Sequence, residues 1–233
     1  MESVMNTAII LAGGVGSRMG VDKPKQYLIV NEKPIIVYCL EIFEKHAEID
    51  NIVIVVSDEW KDYVEQNVEQ YGISKVCGYA PAGKTRQHSI YNGLKSAQEN
   101  APDTKVCIIH DAARPLVSDK IISDCIVGAI EDDGAMPVIT VKDTVYQSKD
   151  GKSIDNLLKR SELFAGQAPE SFDFKKYLDI HNSVSDDEIA STAGSSEIAY
   201  RHGMKIRLVE GSERNFKITT VEDLETFETI INS

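Results

Sequence analysis

Short runs of apolar residues alternate with amphipathic stretches through the first half of the chain. Residues 8–11, 52–56 and 106–110 form continuous apolar runs that are rich in β-branched side chains and too short for helices. Runs of this kind are typical of strands buried on both faces of a mostly parallel sheet. The pattern therefore predicts three buried strands at these positions.

Three segments near these runs carry apolar side chains at helical spacing. The segments are residues 34–46, 86–100 and 118–133. Their apolar faces carry Ile36, Leu40 and Phe43; Ile90, Leu94 and Ala97; and Ile122, Cys125, Ile126 and Ala129. Ser118 is the expected N-cap of the third helix. Strands that alternate with helices predict a doubly wound α/β sheet with right-handed crossovers.

The alternation stops after Pro137. The following stretch has strand-like pieces on both sides of a Lys-Asp-Gly-Lys turn at 149–152, and it has no clear long helix. We interpret residues 140–163 as a β-hairpin or arm that lies outside the main sheet.

Regular structure is predicted again toward the C-terminus. Residues 205–211 and 215–220 have strand-like patterns, and a last helix is expected to start at Thr219, with Glu222 completing a capping box. The sequence contains no internal repeat, low-complexity tract or linker. Together with the length of 233 residues, this favours one domain over residues 1–233.

The net charge limits the classes of partner. The chain carries a formal charge of −12 at pH 7. A broad nucleic-acid or anionic-membrane surface requires a positive face, so neither partner is expected. A small anionic ligand is compatible with this charge because it needs only a few local cations.

Cysteine usage and the start of the chain favour the cytoplasm. The four cysteines show no CxxC or metal-type spacing, and Cys107 and Cys125 fall within apolar patterns that predict buried free thiols. Such thiols fit a reducing cytosol. The first residues include Glu2 and lack the basic region of a signal peptide, and no apolar stretch approaches the length of a membrane span.

A glycine-rich loop follows the first predicted strand. Ligands of parallel α/β sheets bind beyond the carboxyl ends of the strands, so residues 12–20 are the first candidate site. The loop lacks the Gly-Lys-Ser/Thr of a Walker A loop, and Met19 takes the third glycine position of a dinucleotide loop. Gly13, Gly14 and Gly16 can still turn their N–H groups toward an anion.

Cations surround this loop. Arg18 and Lys25 flank it, Lys23 is close by, and Pro24 restricts Lys23 to an extended conformation that helps to orient Lys25. Three backbone donors and two cations suit a polyphosphate better than a single carboxylate. For the loop taken alone, a tight turn with surface cations is the alternative.

Asp111 lies just past the third predicted strand, in the sequence HDAARP. Its carboxylate could hold Mg²⁺ through one oxygen while water and phosphate complete the octahedron. The alternative is a structural aspartate that pairs with Arg114.

Two more segments supply candidates. Gly83, Arg86 and Ser89 lie near a predicted helix start, which suits a base, ribose or phosphate but is also what an ordinary helix N-terminus looks like. Lys217 lies inside the predicted strand at 215–220, with its two neighbours facing the other way. A lysine in such a strand is usually solvated, so it carries little weight alone.

Six motifs in order along the chain resemble one family, the 2-C-methyl-D-erythritol 4-phosphate and ribitol-5-phosphate cytidylyltransferases. The motifs are LAGGVGSRMG with PKQYL, GKTRQHSIYNGL, HDAARP, VKDT, KRSEL with GQAPESF, and LVEGSERNFKITTVEDL. The resemblance covers nearly the whole chain. It implies a Rossmann-like nucleotidyltransferase fold with a protruding β-arm, through which two copies form a homodimer.

The resemblance also implies an activity, the transfer of CMP from CTP to a polyol phosphate with Mg²⁺ and release of pyrophosphate. Arg18, Lys25 and Lys217 would stabilise the transition state, and Asp111 would bind the metal. The implied nucleotide-binding residues are Leu11, Ala12, Gly13, Gly14, Gly16, Ser17, Gly83, Arg86, Ser89, Asp111 and Ala112. The implied acceptor-binding residues are Arg114, Thr144, Arg160 and Thr192.

This chain departs from the family pattern mainly in its acceptor half. Ala193 follows Thr192 where an aspartate is usual, Val145 follows the Asp-Thr pair where a lysine is common, and GQAPESF stands in place of QTPQ. Ala82 also replaces the first of two glycines before the cytidine-site arginine. The three proposed catalytic cations are intact.

The acceptor is therefore less well defined than the nucleotide. LAGG and the Gly166-Gln167 pair favour ribitol 5-phosphate, whereas HDAARP and NGL favour methylerythritol phosphate. We favour an alditol phosphate used for a cell-surface polymer, with methylerythritol phosphate in isoprenoid synthesis and glycerol phosphate as alternatives. Rival hypotheses are a catalytically silent nucleotide sensor and a sugar-1-phosphate enzyme that uses another nucleotide. His88 and His110 are interpreted as structural.

Overall fold

A computed structural model describes residues 5–14 and 23–233, and its centre is a mostly parallel β-sheet. The strands in chain order are β1 (Met5–Leu11), β2 (Ile29–Val30), β3 (Lys33–Pro34), β4 (Asn51–Val56), β5 (Val76–Pro81), β6 (Thr104–Asp111), β7 (Gly134–Thr140), β8 (Tyr146–Gln147), β9 (Asn156–Leu157), β10 (Phe164–Gly166), β11 (Glu170–Asp173) and β12 (Ile206–Glu210). The helices are α1 (Ile35–Lys45), α2 (Asp58–Gln70), α3 (Arg86–Asn100), α4 (Asp119–Glu131), α5 (Phe174–Ser183), α6 (Asp186–Ser191), α7 (Ser195–Arg201) and α8 (Val221–Ile231).

The eight strands of the main sheet follow the order β10-β7-β11-β6-β1-β4-β5, and β12 pairs with β7. Strand β1 runs parallel to both β4 and β6, β5 runs parallel to β4, and β12 runs parallel to β7. Strand β11 is antiparallel to β6 and β7, and β10 is antiparallel to β7. The predicted α/β class is thus confirmed, with two strands reversed.

Alternate side chains of the central strands feed two separate apolar layers, because successive residues of a strand face opposite sides of the sheet. Ala8 and Ile10 of β1 pack with side chains of α1 and α4. Ile9 lies between them in sequence and packs with side chains of α3, α5 and α7. This two-sided burial explains why the central strands appear in the sequence as unbroken apolar runs.

The three predicted strands and three predicted helices are all confirmed. The strands extend a few residues beyond the apolar runs, as β1, β4 and β6. The helices are α1, α3 and α4, and the Oγ of Ser118 accepts a hydrogen bond from the N–H of Ile121 at 3.4 Å, as expected of an N-cap.

The arm at residues 140–163 contains the predicted hairpin. Strands β8 and β9 form a short antiparallel ladder that is separate from the main sheet. Gly151 adopts a φ of +68° in the turn between them, a conformation that favours glycine. Tyr146 and Leu157 on this hairpin are exposed. The sequence position of the arm, between β7 and β10, leaves it attached at the edge of the sheet.

Two expectations near the C-terminus were wrong. The prediction of β12 is confirmed, but residues 215–220 form no strand. The N–H of Ile218 donates to the carbonyl of Ala113 at 2.9 Å, and this bond does not extend into a ladder. Helix α8 starts at Val221 rather than Thr219, with Thr220 as N-cap and Asp223, not Glu222, completing the capping box. Asp223 takes this place because it stands three residues after the N-cap.

Cys107 and Cys125 are buried free thiols, as predicted, and Cys39 is buried and free as well. Burial raises the pKa of each of these thiols. Among residues 5–14 and 23–233, no helix has both the length and the apolar character that crossing a membrane requires.

Candidate active site

The site lies where the parallel strands β1 and β6 end side by side, with Leu11 and Asp111 paired in register. A cavity of about 430 Å³ opens at this edge of the sheet. Its lining combines small, polar and cationic residues, namely Leu11, Gly13, Gly14, Lys25, Gln26, Gly83, Lys84, Thr85, Arg86, Ser89, Asp111, Ala113, Lys217 and Thr219. The position agrees with the rule that parallel α/β sheets bind ligands beyond the carboxyl ends of their strands.

The start of the glycine loop is held by hydrogen bonds to its carbonyl groups. The side-chain amide of Gln26 donates to the carbonyls of Ala12 at 2.6 Å and Gly14 at 2.8 Å. The hydroxyl of Tyr27 also donates to the carbonyl of Ala12. A Cβ on Gly13 would overlap the Cβ of Ala82, whereas one on Gly14 would meet no described residue within 4 Å. These hydrogen bonds fix the backbone of residues 12–14 at the edge of the cavity.

The predicted residues Gly16, Ser17 and Arg18 lie outside the described residues. Lys25 lies in a short 3-10 helix (Lys25–Tyr27) and lines the cavity. Lys23 does not line it, because its ammonium group lies 4.4 Å from the ring centroid of Tyr63 and donates to the hydroxyl of that residue.

The predicted trio Gly83, Arg86 and Ser89 lies together at the N-terminus of α3. Thr85 is the N-cap, and its hydroxyl accepts a hydrogen bond from the N–H of His88. The Oγ of Ser89 accepts from the N–H of Gly83 at 2.9 Å, which closes the turn before the helix. All three predicted residues line the cavity.

Asp111 is the anionic centre of a group of three cations. Its carboxylate lies 3.0 Å from Nζ of Lys217, 3.4 Å from Nε of Arg86 and 3.5 Å from Nε of Arg114. Burial alone would raise the pKa of this carboxyl, but Arg86, Lys217 and Arg114 lower it more strongly, and the pKa is held well below its ordinary value. Asp111 is therefore ionised at neutral pH.

The donor set is compatible with one magnesium ion. No cluster of three or more potential His, Cys, Asp or Glu ligands occurs among residues 5–14 and 23–233. Mg²⁺ is often held in proteins by only one or two carboxylates together with substrate phosphates and water. Asp111, an ionised carboxylate at the cavity wall, fits this pattern. Its contact with Arg114, the structural alternative, is also present.

A second cavity of about 350 Å³ adjoins the first and shares Arg86 and Asp111 with it. Its other lining residues are Arg114, Met136, Gly166, Gln167, Ala168, Glu170, Ala193, Gly194, Ser196 and Glu197. Ala193 and Ala168, which depart from the family pattern, are both in this lining. Two of the departures noted in the sequence thus fall on the second cavity, whereas Val145 lies on the arm and Ala82 lies against Gly13 of the first cavity.

The predicted acceptor-binding residues are not all brought together. Arg114 lines the second cavity, and its Nη1 donates to the carbonyl of Asn215 at 2.7 Å. Thr192 is buried, and its hydroxyl donates to the carbonyl of Glu188. Thr144 and Arg160 are exposed on the arm and line neither cavity.

Ala12 and Ala112, the remaining predicted nucleotide-binding residues, are buried behind the cavity wall. His110 is fully buried, and burial lowers its pKa to about 4. His88 contacts the carboxylate of Asp186 at 2.9 Å. Neither histidine lines either cavity.

Several lining residues were missed by the sequence analysis. Gln26 could have been found, because it directly follows Lys25 in the Pro-Lys-Gln motif. Glu170, Ser196 and Glu197 lie on β11 and α7, elements whose short sequences gave no clear signal.

A mostly parallel α/β sheet, a glycine loop after its first strand and a cationic cavity at the strand ends define a nucleotide-binding enzyme of the nucleotidyltransferase type. The family model described as IspD, 2-C-methyl-D-erythritol 4-phosphate cytidylyltransferase, matches residues 6–233. The chain belongs to this family and is a cytidylyltransferase.

Relatives with two different acceptor names are similar to the chain. A ribitol-5-phosphate cytidylyltransferase of Streptococcus agalactiae serotype Ia is 35% identical over 230 residues, covering 98% of this chain and 96% of the relative. A 2-C-methyl-D-erythritol 4-phosphate cytidylyltransferase of Clostridium novyi is 38% identical over 230 residues, covering 98% and 97%. The crystal structure of 4-diphosphocytidyl-2C-methyl-D-erythritol synthase from Anaerococcus prevotii superposes with a TM-score of 0.84, at 24% identity and 100% and 98% coverage, and supports the fold.

Proposed function

We propose that the enzyme transfers CMP from CTP to an alditol phosphate such as ribitol 5-phosphate, releasing pyrophosphate, for the synthesis of a cell-surface polymer precursor. The observation that carries the proposal is the pair of adjoining cavities, one cationic and beside the glycine loop, the other lined by hydrogen-bonding side chains. Two substrates that react with each other require two binding sites that lie side by side, and these two cavities share the lining residues Arg86 and Asp111.

In this proposal the triphosphate lies in the first cavity, beside Lys25 and Lys217. An acceptor phosphate oxygen attacks the α-phosphorus in line, and negative charge grows on the equatorial and leaving oxygens. Fixed cations in a partly enclosed site stabilise that charge without reorganising. The acceptor phosphate is already ionised near neutral pH, so the reaction needs no strong general base. Arg18 would add a further cation, as the family resemblance implies.

Asp111 is the residue that would hold Mg²⁺. The ion would neutralise phosphate charge and orient the triphosphate. Arg86, whose Nε lies 3.4 Å from the same carboxylate, would contact the nucleotide. Gly83 and Ser89, at the same helix start, would contact cytosine and ribose.

The second cavity supports a polyhydroxylated acceptor. Gln167, Glu170, Ser196 and Glu197 offer oxygen and nitrogen atoms to hydroxyl groups, beside the apolar side chains of Met136, Ala168 and Ala193. The hydroxyl groups of an alditol phosphate would find hydrogen-bond partners in such a lining. The family model and the 38% identical relative, both named for methylerythritol phosphate, favour that compound as the second candidate acceptor.

The arm supports a homodimer. Its exposed apolar side chains, Tyr146, Ile154 and Leu157, are the kind of surface that a second subunit covers. Thr144 and Arg160 lie on the same arm, outside both cavities of their own chain. A dimer would allow them to reach the acceptor cavity of the partner. We further propose a cytoplasmic location, consistent with the buried free thiols.

An acceptor panel tests the proposal. Pyrophosphate release would be measured with CTP and Mg²⁺ in the presence of ribitol 5-phosphate, methylerythritol 4-phosphate or a glycerol phosphate. We expect the highest kcat/KM with ribitol 5-phosphate and no release after chelation of Mg²⁺. A preference for methylerythritol phosphate would overturn the acceptor assignment, whereas no release with any acceptor would favour a nucleotide sensor. Faster turnover of UTP or dTTP than of CTP would overturn the nucleotide assignment.

A further inference from the structure

Arg86 lies in the wall between the two cavities and lines both. It is the first residue of α3, and three groups from other elements surround its guanidinium. Asp111 of β6 contacts Nε at 3.4 Å, Ser195 of α7 accepts from Nη1 at 2.6 Å, and Glu170 of β11 lies 3.7 Å from Nη2. The orientation of this side chain is thus defined by partners on three different elements.

Ser195 makes the shortest of these contacts and is itself firmly held. It is fully buried, and its carbonyl accepts a hydrogen bond from the hydroxyl of Tyr177 at 3.1 Å. That hydroxyl accepts from the side-chain amide of Gln87, the residue next to Arg86 in α3. Through Tyr177, the backbone of Ser195 is therefore held by the same helix that carries the arginine.

Glu170 connects Arg86 to the start of α7. One carboxylate oxygen accepts from both the N–H and the hydroxyl of Ser196, at 2.8 and 2.6 Å, and the other faces Arg86. Glu170 is nearly buried, so its charge is poorly screened by water. This one side chain thus holds both the arginine and the segment that lines the acceptor side.

We propose that Ser195 and Glu170 are positioning residues for Arg86. A guanidinium has five N–H donors in a fixed plane, so holding Nη1 and Nη2 sets the direction in which the remaining donors point. Without these partners only the contact of Nε with Asp111 would remain of the three, and the guanidinium could rotate about it. The inference rests on the proposed function, because it takes CTP as the ligand of the first cavity.

Direct binding of CTP to the Ser195→Ala variant tests the inference. Calorimetry with CTP and Mg²⁺, without acceptor, should give a Kd about tenfold above that of the wild-type chain, because a charged donor loses its buried partner. Ser195→Cys keeps nearly the side-chain volume of serine and offers a thiol as a weaker acceptor. Its Kd should fall between those of the wild-type chain and Ser195→Ala. Ser191→Ala is the matched control, since that serine is exposed on α6 and its hydroxyl donates to the carbonyl of Glu188; its Kd should equal the wild-type value.

A double-mutant cycle separates positioning from a merely structural effect. In an Arg86→Ala background, Ser195→Ala and Glu170→Gln should no longer change the Kd for CTP, because both act through the missing guanidinium. Effects that persist in that background would overturn the inference, as would a wild-type Kd in Ser195→Ala. In the kinetic assay, Glu170→Gln should raise KM for the acceptor as well as for CTP. A wild-type chain that binds no CTP would overturn the proposed function itself.

Discussion

Lys217 reaches the site from a segment that forms no strand. Phe216 and Ile218 on either side of it pack into an apolar cluster with Val30 and Phe227, so the side chain between them faces the opposite way. Its ammonium group then lies 3.0 Å from the carboxylate of Asp111. The alternation of side chains that suggested a strand is real, and it positions the lysine even though no ladder forms.

Replacing this lysine by alanine should remove one fixed positive charge from the transition state. We expect Lys217→Ala to lower kcat by about 10²-fold or more, by analogy with the loss of one transition-state donor, and to leave the fold intact. Pyrophosphate release under saturating CTP would measure the effect. Lys45→Ala, at an exposed position on α1, is the control and should keep wild-type turnover. Near-normal kcat in Lys217→Ala would contradict the assignment.

The sequence could supply the charged residues of the site but not the groups that hold them. Asp111 and Arg86 belong to short motifs that can be recognised locally. Ser195 contacts Arg86 across 109 positions of sequence, and Glu170 contacts Ser196 across 26. Contacts between distant segments leave no local pattern, so these residues could be found only from the folded chain.

At the level of the elements, the start of the glycine loop packs closely against the residue that follows strand β5. The Cα of Gly13 faces Ala82, just past β5, with no room for a Cβ, whereas a Cβ on Gly14 would have no neighbour among the described residues. The small residues at 13 and 82 therefore fit each other. The sequence pattern showed a glycine-rich loop but could not distinguish which glycine the packing requires.

The two glycines provide a matched pair of substitutions. Gly13→Ala should lower the free energy of unfolding by about 1–3 kcal/mol, because the added methyl forces the loop away from Ala82. Gly14→Ala should change it by less than about 0.5 kcal/mol. Urea unfolding followed by circular dichroism would measure both. Equal stability of the two variants would show that the contact with Ala82 does not constrain the loop.

Elements with strong apolar periodicity were predicted, and those that depend on tertiary packing were not. The unbroken apolar runs of β1, β4 and β6 arise from burial on both faces, which is visible in the sequence. Helix α2 is mostly polar, with only Val64 and Asn67 buried, so its pattern is weak. Helices α6 and α7 have six and seven residues, too few for a period to repeat.

At the level of the whole molecule, two buried histidines couple folding to pH. Burial lowers the pKa of His110 and of His181 to about 4 each, from an ordinary value of 6.5. Between these values the unfolded chain binds protons that the folded chain does not. The free energy of unfolding should therefore fall as the pH falls from 6.5 to 4, by up to about 1.4 kcal/mol per pH unit for each histidine.

Unfolding in urea at several pH values would test this coupling. His110→Gln and His181→Gln should each reduce the slope of stability against pH in this range, whatever their effect on absolute stability. Thr229→Ala, at an exposed position on α8 and without an ionisable side chain, should keep the slope of the wild-type chain. A slope that neither buried substitution changes would contradict the account.

The two cavities differ in the kind of structure that builds them, and this difference bears on how the family diversifies. The first cavity, where we place the nucleotide, lies at strand ends of the main sheet, so its backbone frame is shared with the core. Four of the twelve residues that line the second cavity, where we place the acceptor, fall within residues 193–197, at the start of a seven-residue helix outside the sheet. Because Ala193 is exposed, we expect substitutions there to alter the preferred acceptor at little cost to stability. Such a division lets natural selection change the product while the nucleotide chemistry is kept.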